Sequence, residues 1–489
     1  MALRARLVAP PPEPRQVWPW HTAMTGSISV SDMLKGDRRM EAETYLSSGF
    51  GIRAAIERKP VGWVRFAAIA TVTQPGRLKG ILVSPEYGKP FLAATQVFDV
   101  RPIPRKFLAL EKMAGAAACF VDDGTFLVTR SGSVGRPTMA NASHRGMVIS
   151  DDLLRIKPIE QRNWGWTYAY LHAPQTRAMA TGAHYGHIIK HLETSHIDEL
   201  PIPTVGDQTA SIFQQQVSRI LELRNEAHRL TLEAEARFET ALGALKISDW
   251  GEKGFSVKVS KAFVSGRRRM DATIHNPGVS AVRRHLARRG TGFVTIAGAG
   301  YDVWLPTRFR RIPAEDGVVL FESSDLTELN PDFTKKIADG DFGDPYRGRV
   351  EEGWVLLARS GQTYGILGTA VLSGKALEGK VISDDVIRIR AKQEAKIKTG
   401  YLVTALSHPL FGRPLVKSLA YGSSIPHIDV GDVQTHEVVR LKDCEEAAIA
   451  ELAEQSARAR AAADLLEREI AADAGKIIAE FMAAGLPAG

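Results

Sequence analysis

The chain repeats itself, and this duplication limits its fold more than any other feature of the sequence. Matching segments lie about 230 residues apart. They occur in the same order in both copies: RRMEAETY at 38–45 with RRMDATIH at 268–275, Arg-Ser-Gly at 130–132 with 359–361, VISDDLLRIKP at 148–158 with VISDDVIRIRA at 381–391, and Tyr-Gly at 185–186 with 421–422. A unit of this length is too long for a solenoid repeat. The sequence therefore predicts two copies of one domain.

Each copy is followed by a long segment with the spacing of a coiled-coil helix. Phe213, Val217 and Ile220 belong to a series at intervals of four and three residues, and Ile449 and Leu452 belong to a second such series. This periodicity predicts two helices of roughly 40 residues, each about 60 Å long, that pack against each other. The alternative is a pair of helices in an ordinary bundle.

The rest of each copy contains short strand-like runs between glycine-containing turns, such as FLVTR at 126–130 and WVLLAR at 354–359. We therefore predict an α+β fold in which two duplicated β-rich domains are separated by two long antiparallel coiled-coil helices, with pseudo-twofold symmetry. The predicted parts are a flexible Pro-rich leader at 1–28, a β-rich domain at 29–204, a long helix at 205–247, a second β-rich domain at 248–441 and a second long helix at 442–485.

The composition narrows the class of protein. No apolar run approaches the ~18–20 residues that cross a bilayer, so we expect no membrane segment. The leader lacks the apolar core of a signal peptide. The chain has only two cysteines, Cys119 and Cys444, which cannot form a disulfide framework. These features predict a cytoplasmic protein.

Basic residues exceed acidic ones and are concentrated in one stretch. The net charge is +8. Residues 261–311 contain eleven Lys and Arg but only two acids, Asp271 and Asp302. Such a surface attracts polyanions. The alternative is a basic face that is simply solvated.

With these marks the chain resembles the specificity subunit of type I restriction–modification systems. The resemblance rests on Arg39-Met40-Glu41-Ala42 and Arg269-Met270-Asp271-Ala272, on the strand that ends in Arg-Ser-Gly, on the strand with Ile-Ser-Asp-Asp, and on Leu200–Pro203 before the first long helix. The second copy has VVRLKDCEE at 438–446 instead of a Pro-Ile-Pro segment. The subtype stays open, because a two-subunit type with fused cleavage and methylation uses a similar subunit.

The resemblance implies a non-catalytic subunit that recognises double-stranded DNA. Its two target recognition domains would each read half of a bipartite site, and its helix pair would fix the distance between them. It would dock two methyltransferase subunits, with a restriction or translocase subunit as a further partner that remains open. The alternative is an interaction scaffold that uses the coiled coil and binds DNA without sequence preference.

Three groups of residues are candidates for binding DNA. The Arg-Ser-Gly turns combine a cation, a hydroxyl and a permissive glycine, which can grip a phosphate or a guanine edge; the turn candidates are Arg130, Ser131, Ser133, Arg136, Arg359, Ser360, Gln362 and Tyr364. The loop candidates are His187, Lys190, His191, Ser423, Ser424 and His427. The candidates for phosphate contacts are Arg267, Arg268, Arg284 and Arg288.

Each group has a structural alternative. Arg130 and Arg359 could brace the interior by pairing with the Asp-Asp of the Ile-Ser-Asp-Asp strand. The second pair of loops could be packed turns that close each domain. The acidic pairs themselves are poor DNA ligands, so we expect them to be structural.

Motifs of enzymes are weak or missing. No Asn/Asp-Pro-Pro-aromatic tetrapeptide of an amino-methyltransferase occurs, and no GxxxxGK[ST] occurs. Gly-Ala-Gly at 298–300 follows an apolar run but lacks a third glycine and the acidic residue of a nucleotide-binding turn. We therefore predict no catalytic residue, no metal and no cofactor.

Overall fold

The computed structural model describes most of the chain. The described residues are 28–30, 33, 45–77, 80–110, 115–183, 191–247, 250–251, 254–262, 269–339, 348–362 and 364–484. No helix among these residues is both long and apolar enough to cross a membrane.

Among the described residues, the first half contains short strands and four helices that precede a long one. Its strands are β1 (Trp63–Arg65), β2 (Ala70–Thr73), β3 (Ile81–Val83), β4 (Lys89–Leu92), β5 (Lys106–Ala109), β6 (Phe126–Thr129), β7 (Pro137–Met139), β8 (Val148–Ile149), β9 (Leu153–Pro158) and β10 (Pro201–Pro203). Its helices are α1 (Ser48–Glu57), α2 (Trp164–His172), α3 (Pro174–Ala183), α4 (Thr194–Asp198) and the long α5 (Asp207–Leu242).

The second half repeats this plan. Its strands are β11 (Gly292–Thr295), β12 (Tyr301–Trp304), β13 (Pro313–Phe321), β14 (Lys335–Ile337), β15 (Val355–Ala358), β16 (Ala370–Leu372), β17 (Val381–Ile382), β18 (Val386–Ala391) and β19 (Glu437–Arg440). Its helices are α6 (Val259–Ala262), α7 (Pro277–Arg289), α8 (Thr399–Ser407), α9 (Arg413–Lys417), α10 (Val430–Gln434) and the long α11 (Asp443–Ala483).

Among the described residues, two sheets of each half correspond strand for strand, whereas the third has four strands in the first half and three in the second. The order β2-β9-β6-β7 in the first half matches β12-β18-β15-β16 in the second, and β1-β10 matches β11-β19. In the smaller sheets, the parallel pair β4-β8 aligns Leu92 with Ile149, and β13-β17 aligns Phe321 with Ile382. Both central strands, β6 and β15, are buried along their whole length, which explains their uninterrupted apolar sequence.

The long helices α5 and α11 pack antiparallel. Arg237, near the end of α5, pairs with Glu445 near the start of α11 at 2.9 Å. Towards the other end, Arg224 pairs with Asp464 at 2.6 Å. At 36 and 41 residues, the helices are about 54 and 62 Å long. Helix α5 stops where Gly243 takes a left-handed φ of 76°.

The hydrophobic cores of the halves lie at opposite ends of this helix pair. The core of the first half includes Phe213 from α5 and Ile470 from α11. The core of the second half includes Phe238 from α5 and Ile449 from α11. The helices are therefore part of both cores.

The two halves also touch each other directly. An antiparallel bridge joins Asp99 to Glu328. The amide of Val100 donates to the carbonyl of Thr327, and the amide of Leu329 donates to the carbonyl of Phe98, both at 2.6 Å. Asp99 thus meets its own equivalent, which lies 229 positions further along the chain, so a pseudo-twofold axis passes through the bridge. The predicted fold class is confirmed, and this junction between the halves is an addition that the periodicity did not predict.

Candidate nucleic-acid interface

The Arg-Ser-Gly segments form equivalent turns at the ends of the central strands. Strand β6 ends at Thr129 and strand β15 ends at Ala358. Gly132 and Gly361 follow, with φ values of 74° and 135°. These are left-handed conformations that favour glycine, so this residue is what lets each chain turn immediately after its arginine and serine.

Each turn contacts the second candidate loop of its own half. In the first half, Ser131 forms a β-bridge with His191, and in the second half Ser360 forms one with His427. The carbonyl of each preceding arginine accepts a hydrogen bond from the residue after the histidine, at 2.9 and 3.0 Å. Two segments that are about 60 residues apart in sequence are thus neighbours in both halves. We call each such pair a turn–loop cluster.

The two equivalent arginines of the Arg-Ser-Gly turns are held by carboxylates of their own half. Arg130 forms an ion pair with Glu193, and Arg359 forms one with Asp385 at 3.3 Å. The Nε of Arg359 also donates to the carbonyl of Ile428 at 3.2 Å. These contacts favour the internal-brace interpretation. The partner of Arg130, however, is Glu193 rather than the Asp-Asp pair that this interpretation named.

The acidic pair of the second half is structural, as expected. Asp384 pairs with Arg311 at 2.7 Å and Asp385 with Arg359. The Oγ of Ser360 also donates to Asp385, at 3.2 Å. These carboxylates fix the base of the turn and leave its tip exposed.

Exposed side chains are concentrated at the tips of the clusters. In the first half Ser133 is exposed. In the second half the exposed candidates are Gln362, Tyr364, Ser423 and Ser424. The amide of Gln362 donates to the carbonyl of Ser424 at 3.0 Å, which links turn to loop, and Tyr364 is 69% exposed. The candidates Ser131, Ser360, His191 and His427 lie half-buried beneath these tips.

Arg136 lies in a different environment from the one expected. Its side chain is buried at the junction of the halves, where it pairs with Glu328 at 2.6 Å. Its guanidinium lies 4.0 Å from the centre of the Phe98 ring. Because this cation is already engaged by a carboxylate and a ring, binding a phosphate would require the junction to open.

The basic stretch divides between surface charge and helix capping. Arg284 and Arg288 are exposed on α7. Two other side chains of α7 reach the last carbonyls of α5: Arg289 donates to Leu242 at 2.8 Å, and His285 lies 3.0 Å from the same oxygen. A cation there meets the negative end of the helix dipole. The candidates Arg267, Arg268, His187 and Lys190 lie outside the described residues.

No family model matches the chain, and no curated protein matches it. Solved structures do resemble it. The S subunit of the type-I restriction-modification system from M. genitalium is 12% identical, with 86% of this chain and 93% of that chain covered and a TM-score of 0.31. The HsdS subunit from Thermoanaerobacter tengcongensis is 13% identical, with 87% and 97% covered and a TM-score of 0.24.

Proposed function

We propose that this chain is the non-catalytic DNA-recognition subunit of a type I-like restriction–modification complex. Each turn–loop cluster reads part of one half-site in duplex DNA. The helix pair and the junction between the halves hold the two clusters at a fixed separation, so the bases between the half-sites are not read. A cytoplasmic location fits the two cysteines, neither of which forms a disulfide.

One observation carries the proposal: the same turn–loop cluster occurs in both halves, and a pseudo-twofold axis relates the halves. Duplex DNA has local twofold symmetry, and proteins that present two related reading elements bind two half-sites separated by about one helical turn, ~34 Å, or a multiple of it. Two long helices of this size are long enough to hold reading elements that far apart.

The exposed tips predict an asymmetric site. At equivalent places the first half presents Ser133 and the second half presents Gln362. A serine hydroxyl bonds to many bases, whereas a glutamine amide can make a paired contact with adenine. Different side chains on a common backbone frame would read different half-sites. Exposed arginines such as Arg284 supply contacts to phosphates, which give affinity but no sequence preference.

The partners follow from the same proposal. A recognition subunit without catalytic residues needs enzymes to act on the site that it finds. We propose that two methyltransferase subunits dock on the two halves, in line with the pseudo-twofold symmetry, because equivalent surfaces bind equivalent partners. A restriction or translocase subunit can join such a complex.

The test is to map methylated positions in DNA exposed to the assembled complex. The unchanged protein should give one split sequence. Replacing Gln362 and Tyr364 with alanine should relax or change one half-site and leave the other unchanged, whereas replacing Ser133 should affect only the other half-site. A good bidentate contact gives about 1–3 kcal/mol of discrimination, so one position should lose roughly tenfold or more in preference.

Gln393→Ala is the matched control. Gln393 is exposed and lies beyond the end of β18 that is opposite to the Arg-Ser-Gly turn. It should leave both half-sites as they are. If methylation is random, or if all three changes weaken DNA binding equally for every sequence, the chain is an interaction scaffold with only non-specific affinity.

A further inference from the structure

A cavity of about 320 Å³ lies at the junction of the halves, on one side of the pseudo-twofold axis. Its walls come from residues 99–105 of the first half, from α8 and α9 of the second half, and from both long helices. This volume lies at the lower end of the range of small-molecule sites, about 300–1,000 Å³. We call it the inter-half cavity.

The equivalent place on the other side of the axis is filled. There Arg177 and Asp332 form a two-pronged ion pair with distances of 2.5 and 2.7 Å. Arg136 pairs with Glu328, and the hydroxyl of Tyr168 donates to Glu467. We call this the closed cleft. A comparison of equivalent positions shows which side chains differ between the closed cleft and the inter-half cavity.

Three large side chains of the closed cleft have small counterparts around the cavity. Applying the offsets of the repeat, Tyr168 corresponds to Val403, His172 to Ser407 and Glu467 to Thr231. Val403, Ser407 and Thr231 all line the cavity. The open volume is therefore the space that a phenol, an imidazole and a carboxylate side chain occupy on the other side.

The same comparison shows a cation of the cavity that is without the carboxylate partner of its counterpart. Arg413 corresponds to Arg177, but Ile103 stands where the closed cleft has Asp332. Ile103 is 37% exposed and lines the cavity with Arg413. Among the described residues Arg413 makes no ion pair within 4 Å, and its buried Nε has no hydrogen-bond partner. Its NH2 group donates to the carbonyl of Gly365 at 3.1 Å.

Conversely, a carboxylate of the cavity is without the arginine partner of its counterpart. Asp99 corresponds to Glu328, but Thr369 stands where the closed cleft has Arg136, since the register of β15 with β16 matches that of β6 with β7. Burial raises the pKa of Asp99 to about 7, against the attraction of Arg105. Near neutral pH this carboxyl can therefore keep its proton and donate a hydrogen bond to an anion.

Positive charge is in excess around the cavity. Its cationic side chains are Arg101, Arg105, Arg413, Lys417 and Arg460. The acids are Asp99 and Glu235, and Glu235 is already engaged by Arg101. Burial, followed by repulsion from Arg413 and Arg105, lowers the pKa of Lys417 to about 8. Crowded cations of this kind are stabilised by a bound anion.

We propose that the inter-half cavity binds a phosphate group, supplied by a small phosphorylated molecule of the size of a nucleoside monophosphate. Arg413 and Arg105 hold the phosphate in the place that Asp332 takes in the closed cleft. The apolar walls, which include Ile366 and Leu372, accept the body of the ligand. Because the walls come from both halves, a bound ligand ties the halves together.

The test titrates inorganic phosphate and adenosine monophosphate into the full chain by calorimetry. Both should bind, the nucleotide more tightly, and both should raise the melting temperature, since a ligand of the folded state stabilises it. The key variant is Ile103→Asp, which restores the carboxylate of the closed cleft. It should weaken phosphate binding by about tenfold or more, because the carboxylate neutralises Arg413 and repels the ligand. Ile103→Asn has the same shape without the charge and should change binding less than about threefold.

The arms of the experiment separate the sources of the phosphate. Inorganic phosphate and adenosine monophosphate could fail to bind while a short DNA duplex binds about tenfold more weakly to Ile103→Asp than to Ile103→Asn. In that case the bound phosphate belongs to the DNA backbone. Only this arm of the experiment rests on the proposed function. If no ligand distinguishes the two variants, the proposal is wrong. The methylated sequence of the Ile103→Asp complex checks the proposed function separately, since this change should leave both half-sites unaltered.

Discussion

The closed cleft and the inter-half cavity occupy equivalent places, yet one is sealed by ion pairs and the other is open. Their backbones match: the bridge between Asp99 and Glu328 lies on the axis and is made by equivalent residues. Part of the difference lies in the side chains, and part in a segment before β16 that is four residues longer in the second half. Equivalent backbone contacts hold the halves together on the axis, while the side chains on the cavity side are smaller and are without the charge partners of the closed cleft. The closed cleft joins the two halves through ion pairs, whereas the inter-half cavity is the place that we propose as a binding site.

The closed cleft contains a buried ionic cluster that the inter-half cavity lacks. Arg224 contacts Asp464 at 2.6 Å and Glu467 at 3.1 Å, and all three are buried. Burial alone would lower the pKa of Arg224, but the two carboxylates outweigh it and raise the pKa. The residue corresponding to Arg224 beside the cavity is Arg460, and Thr231 stands where the closed cleft has Glu467.

The largest expected effect comes from Arg224→Met, which leaves two buried carboxylates without their cation. We expect a loss of about 3–5 kcal/mol of stability, measured by thermal and urea unfolding of the full chain. Arg460→Met makes the same change at the equivalent position, where the arginine makes no ion pair within 4 Å among the described residues, and should cost less than about 1.5 kcal/mol. Equal losses for the two variants would mean that the ionic cluster does not distinguish the two sides.

A smaller effect is expected from Asp332→Asn, which makes the closed cleft more like the cavity. It removes the carboxylate from Arg177 at a half-buried site, so we expect a loss of about 1–2 kcal/mol in thermal unfolding. The released Arg177 should also gain weak affinity for phosphate, seen in calorimetry as a second site per chain. A stability loss without a second site would show that the large side chains around Arg177 leave no room for a ligand.

The smallest effect is a difference in pH dependence. Burial lowers the pKa of His172 to about 4, against the attraction of Glu467. An exposed histidine has a pKa near 6.5, so between about pH 6.5 and 4 the unfolded chain binds a proton that the folded chain does not. Stability is therefore lost as the pH falls through this window, by about 1 kcal/mol at pH 5.5 for this one residue.

His172→Asn should remove that part of the loss, measured as the change in melting temperature between pH 7.5 and 5.5. Ser407→Asn at the equivalent position beside the cavity should leave the pH dependence of the unchanged protein intact. Asp99 makes stability depend on pH in the opposite direction, because its pKa of about 7 in the folded chain lies above the ordinary carboxyl value. The stability that Asp99 contributes is therefore lost as the pH rises towards 7. Identical pH profiles for His172→Asn and the unchanged chain would contradict the assignment.

The interface was partly predictable from the sequence. The turns after β6 and β15 are marked by Arg-Ser-Gly, because only a short polar segment with glycine can reverse the chain directly after a buried strand. The second loops could be marked by Tyr-Gly. That each turn lies against its own loop could not be derived, since the β-bridge from Ser131 to His191 joins residues 60 positions apart.

The roles of single arginines were not predictable. Arg130, Arg136 and Arg284 look alike in the sequence, but one braces a turn, one seals the junction and one is exposed. The partners of the first two, Glu193 and Glu328, lie 63 and 192 positions away. Nothing local in the sequence marks such pairs. Likewise the exchange of Asp332 for Ile103 has no motif around it and becomes meaningful only when the registers of β5 and β14 align the two copies.

The sequence by itself determined the duplication, the two long helices and the positions of the glycine turns, because these depend on periodicity and on local backbone preferences. Tertiary structure alone decided that the halves meet at Asp99 and Glu328 and that one side of this junction is filled while the other is hollow. The physical reason is that burial and charge pairing depend on which side chains face each other across the axis. Those side chains come from widely separated segments of the chain, and only folding brings them together.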